Sequence, residues 1–437
     1  MNFEMLHPAD QIVMIMNRIY SYGMTTTSGG NLSILDEEGV MWISPSSIDK
    51  GSLRREDIMR VLPDGTIEGI HTPSVEYPFH RDIYRKRPDL KAVLHAHPPA
   101  LVAFSIARKT PDTALIPNAR LLTGDISYAP YATPGSQQLG ENISAEFEKG
   151  YNTVMMENHG VVIGSDQGLF KAFMVFETLD FCARLEINAR TIGRTTRPLS
   201  NAELELFQQK THPALGEFVA EGHTSKELEI RRDMCRMISR AYDNQLFTSG
   251  QGTFSCRLPD NSMIITPYAM DRKYLNPEDL VLVRENSEGT SLLKEAGKMP
   301  SRSLLLHHQI YRQHPEIGAV IVAHPPNIMA FAVTECSFDA RLIPESYIML
   351  RTVGKYPFGC TFLEPDRLAE ELREENPVAI IENDCVITTG ETLLKAFDRL
   401  EVMEYSAKSV IDAASLGGIV KISRAEVDDI EAAFGLH

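Results

Sequence analysis

His95 and His97 stand two residues apart in the run Ala92-Val93-Leu94-His95-Ala96-His97. On a strand that spacing puts both imidazoles on one face, where they can reach a single ion. Asn158-His159-Gly160 offers a third imidazole from another strand, with a glycine that allows close backbone approach. Three histidines with an open fourth position form the ligand set of a catalytic divalent cation, zinc first, with manganese or cobalt as alternatives. Taken alone, His-x-His also describes two partly buried structural histidines near a strand end.

A second copy of the pattern weighs between those readings. Pro73-Ser74-Val75-Glu76, Ile83-Tyr84-Arg85 and Ala92 to Pro99 reappear as Pro300-Ser301-Arg302-Ser303, Ile310-Tyr311-Arg312 and Ala319 to Pro326. The apolar frame survives, but His95 has become Val322, Glu76 has become Ser303, and His159 aligns with Asp384. Correlated loss of polar groups from a retained frame is what a dismantled site looks like. His324 remains as an orphan with a structural role. His80 and His307 persist in both copies and are read as structural for the same reason.

The elements that must position these residues follow from the same duplication. Residues 1–212 and 225–437 each form a whole domain, and 213–224, rich in Gly, Pro and His, reads as the linker. Within each half, helical stretches alternate with short apolar strands. The spacing predicts a helix from Asp10 to Tyr22, strands at Val40–Ile43 and Ala92–His97, and a helix after Ser74 with Pro78 in its first turn. Trp42, the only tryptophan, is expected in the core.

A length of 437 residues with 43% hydrophobic content suits two folded domains and excludes broad disorder. The net charge of −16 argues against a general nucleic-acid binder, which needs a basic face. The six cysteines form no Cys-x-x-Cys pair, so neither a zinc knuckle nor a secreted disulfide framework is expected. No signal peptide and no membrane span is visible, and a cytoplasmic protein is the expectation.

At this point the chain resembles the class II aldolase/adducin family. The motifs that carry the resemblance are Gly30-Asn31-Leu32-Ser33, Ile43-Ser44-Pro45-Ser46, Pro73-Ser74-Val75-Glu76 with His80, His95-Ala96-His97, Ala129-Pro130-Tyr131-Ala132-Thr133 and Asn158-His159-Gly160. They keep the family's order over nearly all of residues 8–195, and the second half resembles the same domain more faintly. The resemblance implies an α/β fold of two class II aldolase-like domains, each a central, largely antiparallel β-sheet between helical layers. It also implies His95, His97 and His159 as metal ligands and Glu76 as the acid/base. A carboxylate beside a divalent metal can take a proton from a bound substrate; a glutamate in a first helical turn can also be there only for the helix dipole.

The resemblance further implies an anion cradle at Gly30, Asn31, Ser46, Ser47 and Ser74, which backbone amides at a glycine turn and a helix start make physically sensible. Val75 and Ser47 depart from the family pattern and weaken the case for a phosphate there. Family aldolases that work between subunits take a tyrosine proton donor from a neighbour. That position falls on Arg120 in the first copy and on Tyr347 in the second, which suggests a composite site and a homo-oligomer, a dimer forming a pseudo-fourfold ring or higher. The implied function is a metal-dependent lyase (aldolase) that cleaves a small hydroxylated ketone, sugar or sugar phosphate through an enediolate. Decarboxylation of a 3-oxo sugar acid or its phosphate on the same site is the alternative, epimerisation also fits the fold, and a non-enzymatic adducin-like module is the reading of another class. The partners expected are a carbohydrate-like small molecule and further copies of the chain, with no nucleic acid and no membrane.

Overall fold

The computed structural model describes residues 3–193 and 195–436. Two compact units result, Met1–Thr113 with Asn118–Arg184, and Ala114–Pro117 with Leu185–His437. Both are mixed α/β, each a largely antiparallel sheet between helices.

The first unit is built on eight strands: β1 (Asn31–Leu35), β2 (Met41–Ile43), β3 (Met59–Val61), β4 (Ile67–Glu68), β5 (Ala92–Ala96), β6 (Ile126–Ala129), β7 (Thr153–Met156) and β8 (Val161–Ser165). Their order across the sheet is β4-β3-β2-β1-β5-β8-β7-β6. Only β6 and β7 run parallel. β5 is central and buried at every residue, so it reads as a continuous apolar run interrupted by one histidine. Its register sets Asn31 opposite His95 on one side and Val162 opposite His95 on the other.

The first helix spans Pro8–Ser21, capped by the His7 ring accepting from the Ala9 amide, and buries Ile12, Ile15, Met16 and Ile19 on one stripe. The helix Tyr77–Lys86 carries Pro78 in its first turn, where no amide hydrogen is needed. It buries Phe79 and Ile83 in a core shared with Phe147, Val154 and Val162. Trp42 departs from expectation: it is half-buried, and its indole N–H donates to Asp36 Oδ2 at 2.8 Å. The polar ring edge has to be satisfied, which holds the side chain at the surface.

The second unit repeats this plan. Its nine-stranded sheet runs Val353–Tyr356, Val378–Ile381, Val386–Gly390, Ala319–Ala323, Thr253–Arg257, Met263–Ile265, Val281–Glu285, Leu292–Glu295 and Gly216–Phe218. The last of these lies within 213–224, the stretch read as a linker, and pairs in parallel with Leu292–Glu295. Upstream of it, Arg197 is tied to the same unit, its amide donating to the Val333 carbonyl and its carbonyl accepting from Asn383 Nδ2. Those bonds draw the chain after Leu185 into the second unit. Among the described residues no helix is long and apolar enough to cross a membrane.

One buried polar knot is common to both units. Ser33 Oγ meets His80 Nδ1 at 2.7 Å and the Tyr84 hydroxyl at 2.8 Å. Ser255 meets His307 Nδ1 and the Tyr311 hydroxyl, each at 2.7 Å. Burial, with the Lys210 charge adding to it, lowers the His307 ring from 6.5 to about 3. Unfolding restores the ordinary value, so below pH 6.5 the unfolded chain takes a proton that the folded chain refuses until about pH 3. The stability contributed by neutral burial is therefore complete above pH 6.5 and drains as pH falls toward 3. The unfolding free energy of the native chain should fall between pH 7 and 5 by about 1–2 kcal/mol more than that of a His307→Gln variant. Equal pH slopes in urea titrations of the two proteins would remove His307 from this account.

Candidate metal centre

Three imidazoles converge at the end of β5. One ligand nitrogen each from His95, His97 and His159 lies within 4.8 Å of the others. His95 is on β5 itself, His97 on the residue just past its end, and His159 in the turn between β7 and β8. Asn158 makes that turn by adopting φ +52°, a left-handed conformation that asparagine tolerates better than most residues. Gly160 follows because a Cβ there would stand 2.6 Å from the Ala96 carbonyl and 2.9 Å from the His97 ring. Gly30, at φ +72°, lies against the His95 carbonyl, 2.9 Å from where a Cβ would be.

The ring orientations fit a cation. His95 Nδ1 is 3.0 Å from the Val161 carbonyl, which can only accept, so Nδ1 carries the proton and Nε2 is left as a lone pair. That lone pair faces Glu76 Oε2 at 3.3 Å. Two acceptors at such a distance repel unless a cation sits with them. Glu76 Oε1 is also 3.7 Å from His159 Nε2. The Nε2 atoms of His95 and His97 are buried without hydrogen-bond partners. Burial first, then the neighbouring imidazoles, lowers His95 and His97 to about 3. His159 is lowered by burial, with Glu76 opposing. Neutral rings are the state that ligates.

Glu76 is positioned by a chain of buried hydrogen bonds. Asn31 Nδ2 donates to Glu76 Oε2 at 2.7 Å, which turns Asn31 Oδ1 toward His80 Nε2 at 2.5 Å. His80 is neutral, its ring lowered to about 3 by burial, so its Nε2–H donates and its Nδ1 accepts from Ser33. The Ser74 hydroxyl accepts from the Glu76 amide at 3.3 Å. The side chain of Asn31, expected in an anion cradle, is thus taken up by Glu76 and His80. In the second unit Thr253 stands opposite Val322 where Asn31 stands opposite His95, and the relay stops at His307, whose Nε2 has no partner.

Ser46, Ser47 and Ser74 lie on neighbouring segments. The Ser46 amide donates to Thr72 and the Ser74 amide to Ser44, across a bridge between Pro45 and Pro73. Ser47 has φ +56°, the conformation glycine would supply, and Ala269 holds the equivalent place at φ +55°. Beneath this turn Lys50 is buried and donates to the Pro45 carbonyl, and burial lowers its ammonium to about 8. Tyr347 lies in the second unit, on the helix Pro344–Leu350, and its hydroxyl donates to Glu431. That bond, followed by burial, raises its pKa. Arg120 occupies the same offset in the helix Pro117–Thr123 and is paired with Asp125.

Two positioning residues escaped the sequence. Ser105 Oγ accepts from the His159 amide at 2.9 Å and donates to the Met156 carbonyl at 2.6 Å, fixing the turn that presents His159. Lys50 is the other. Neither belongs to a motif, and a serine inside an apolar helix gives no signal of its partners.

Comparison with known proteins points to one family. The family model described as Class II Aldolase and Adducin N-terminal domain matches residues 10–187 and again 232–411. The chain is 33% identical over 211 residues to the 5-deoxy-D-ribulose 1-phosphate aldolase of Bacillus thuringiensis serovar kurstaki, covering 46% of this chain and 93% of that protein. It is 31% identical over 179 residues to the 3-oxo-tetronate 4-phosphate decarboxylase of Pectobacterium atrosepticum, covering 40% of this chain and 81% of that one. Against the L-fuculose phosphate aldolase of Escherichia coli K12 the identity is 27% over 202 residues, covering 46% and 93%.

A chain with one intact triad should hold about one equivalent of divalent metal. His97→Ala should lose that equivalent, as measured by elemental analysis after reconstitution and desalting. A full equivalent retained by the variant would sink the triad as the site.

Proposed function

Because the chain belongs to the class II aldolase and adducin family and is an enzyme of the aldolase type, we propose that it is a metal-dependent lyase cleaving a carbon–carbon bond in a small hydroxylated ketone, sugar or sugar phosphate. The observation that carries this reading is the lone pair of His95 facing the Glu76 carboxylate at 3.3 Å, beside two further imidazoles. A divalent ion held by His95, His97 and His159, zinc before manganese or cobalt, supplies Lewis-acid stabilisation of the negative charge that develops on a carbonyl oxygen during cleavage.

The remaining work falls to the chain. Glu76 gives a proton to the carbon left electron-rich after the bond breaks, and removes it in the reverse direction. Asn31 holds one carboxylate oxygen, so the other is the one free to carry the proton. Gly30, Ser46, Ser47 and Ser74 receive the far end of the substrate, an anion or a hydroxylated terminus. Tyr347, contributed by a second chain, is the proposed partner of the departing oxygen, accepting the substrate hydroxyl proton as the carbonyl forms and donating it back in the reverse direction, which requires its hydroxyl to leave Glu431. A homo-oligomer is part of this proposal.

Decarboxylation is a second reading, favoured by the similarity to a protein named as a 3-oxo-tetronate 4-phosphate decarboxylase. Loss of carbon dioxide leaves the same electron-rich carbon for Glu76. Incubation with ketose phosphates, free ketoses and 3-oxo sugar acids separates the two, since aldehyde release marks one and carbon dioxide the other. No metal-dependent product from any of them would overturn both.

Glu76→Gln keeps the shape but cannot carry the proton, so turnover should fall by about 10² or more while metal stays bound. Near-normal turnover would place the base elsewhere. Tyr347→Phe should likewise lower turnover by about 10² with metal content and oligomer size intact. Unchanged activity in that variant would remove the proton-transfer role from Tyr347.

A further inference from the structure

The second unit lacks the triad, yet it contains a cavity of about 310 Å³ lined by Lys210, Thr211, Arg302, Leu305, Leu306 and Thr361 among others. The cavity lies at the start of the helix Leu304–Gln313, whose N-cap residue Ser303 makes no side-chain bond to the first-turn amides. A helix start left open in this way carries partial positive charge.

Two full cations add to it. The Arg302 guanidinium sits 5.5 Å from the centres of both the Phe207 and Tyr268 rings, and its Nη1 donates to the Lys210 carbonyl at 3.2 Å. The Lys210 ammonium lies 5.1 Å from the centre of the Phe362 ring. Among the described residues neither forms an ion pair, whereas Lys294, Lys298 and Arg231 in the same unit each meet a carboxylate. Aromatic faces hold these two side chains in place without neutralising them.

Lys210 also stands beside the remnants of the dismantled centre. Its charge adds to burial in lowering His307 and His324 and opposes burial at Cys385. His324 follows Val322 as His97 follows His95, and Cys385 adjoins Asp384, the counterpart of His159. His307 Nε2 and His324 Nδ1 are buried without partners. Asp384, whose charge opposes burial at His324, accepts from the Thr361 hydroxyl at 2.7 Å. Among the described residues Lys210 and Arg302 thus stand at a concave surface without a carboxylate paired to either.

We propose that the second unit is a metal-independent binding site for a phosphate monoester, with Lys210 and Arg302 pairing its oxygens at the start of the helix Leu304–Gln313. Arginine and lysine together suit a dianion, the first by its planar fork and the second as a point charge. The cavity, at the small end of ligand-site volumes, leaves space for a short carbon skeleton beside the phosphate. The binding needs neither the triad nor Glu76, so it stands apart from the proposed lyase reaction.

Calorimetric titration of the full-length chain with glycerol 3-phosphate and with inorganic phosphate, each with and without a metal chelator, tests it. Binding of the monoester should persist in chelator, weaken at least tenfold in K210A and in R302A, and survive in K210R. Metal content should be unchanged in all three variants. Phosphate bound as tightly as the monoester would make the site one for the free ion and overturn the monoester assignment. Equal affinity in the native chain and both alanine variants, or no binding at millimolar concentration, would overturn the site itself.

Discussion

Three imidazoles stand side by side at the end of the central strand β5, two of them with buried ring nitrogens that bond to nothing in the chain, and much of the first unit is arranged around that constraint. A buried polar atom left unpaired costs about 1–3 kcal/mol. The Nε2 atoms of His95 and His97 are both in this state. The surroundings set where each ring sits. The Val161 carbonyl holds His95 by its other nitrogen. Gly160 and Gly29 are small where a Cβ would crowd the His97 ring. The Ser105 hydroxyl pins the backbone of His159. Stability is given up locally so that three lone pairs face one point with Glu76 beside them, which is how functional sites come to violate the rules obeyed elsewhere in a fold.

The second unit shows what the same frame does once the constraint is lifted. Val322 takes the place of His95 and joins an apolar cluster with Ile265, Val320 and Ile387. Asp384 takes the place of His159 and is satisfied by Thr361. Ser303 takes the place of Glu76 and bonds to Ser301 at 3.0 Å. Each change lets side chains pair or pack with one another. The Ser–His–Tyr knot did not change, because it ties a helix to a strand in either unit whether or not a metal is held. His80 and His307 therefore make the same outer contact, and only His80 extends it inward, through Asn31 to Glu76.

Chemistry written in short-range patterns was legible in the sequence. His95 and His97 share a strand end, Asn158-His159-Gly160 is a turn with its own conformational logic, and the duplication exposed which polar residues vary together. The alternation of strands and helices was legible as well, while the antiparallel sheet between helical layers was implied by the resemblance to the class II aldolase/adducin family and not by the pattern of apolar runs. What escaped were contacts between distant segments. Nothing local says that the amide of Asn31 faces Glu76 and not a substrate, or that Ser105 reaches the His159 turn. Gly216–Phe218 is a strand only because Leu292–Glu295 lies next to it; its own composition reads as loop.

Asn31 illustrates how such a contact changes the chemistry expected of a residue. An asparagine side chain offers one carbonyl oxygen and one amide group. With the amide on Glu76 and the oxygen accepting from His80, it has little left for an incoming anion. Its neutral relay has a fixed direction, because the carboxylate can only accept while ionised and every partner behind it must then donate toward Glu76. Protonation of Glu76 would turn one of its oxygens into a donor, and the oxygen facing Asn31 Nδ2 would be the unfavourable one to protonate. The relay thus assigns different duties to the two carboxylate oxygens, one as a fixed anchor and one as the proton carrier. That division comes from the hydrogen bonds that join β1 to the helix Tyr77–Lys86 and its N-cap, and not from the identity of Glu76 alone.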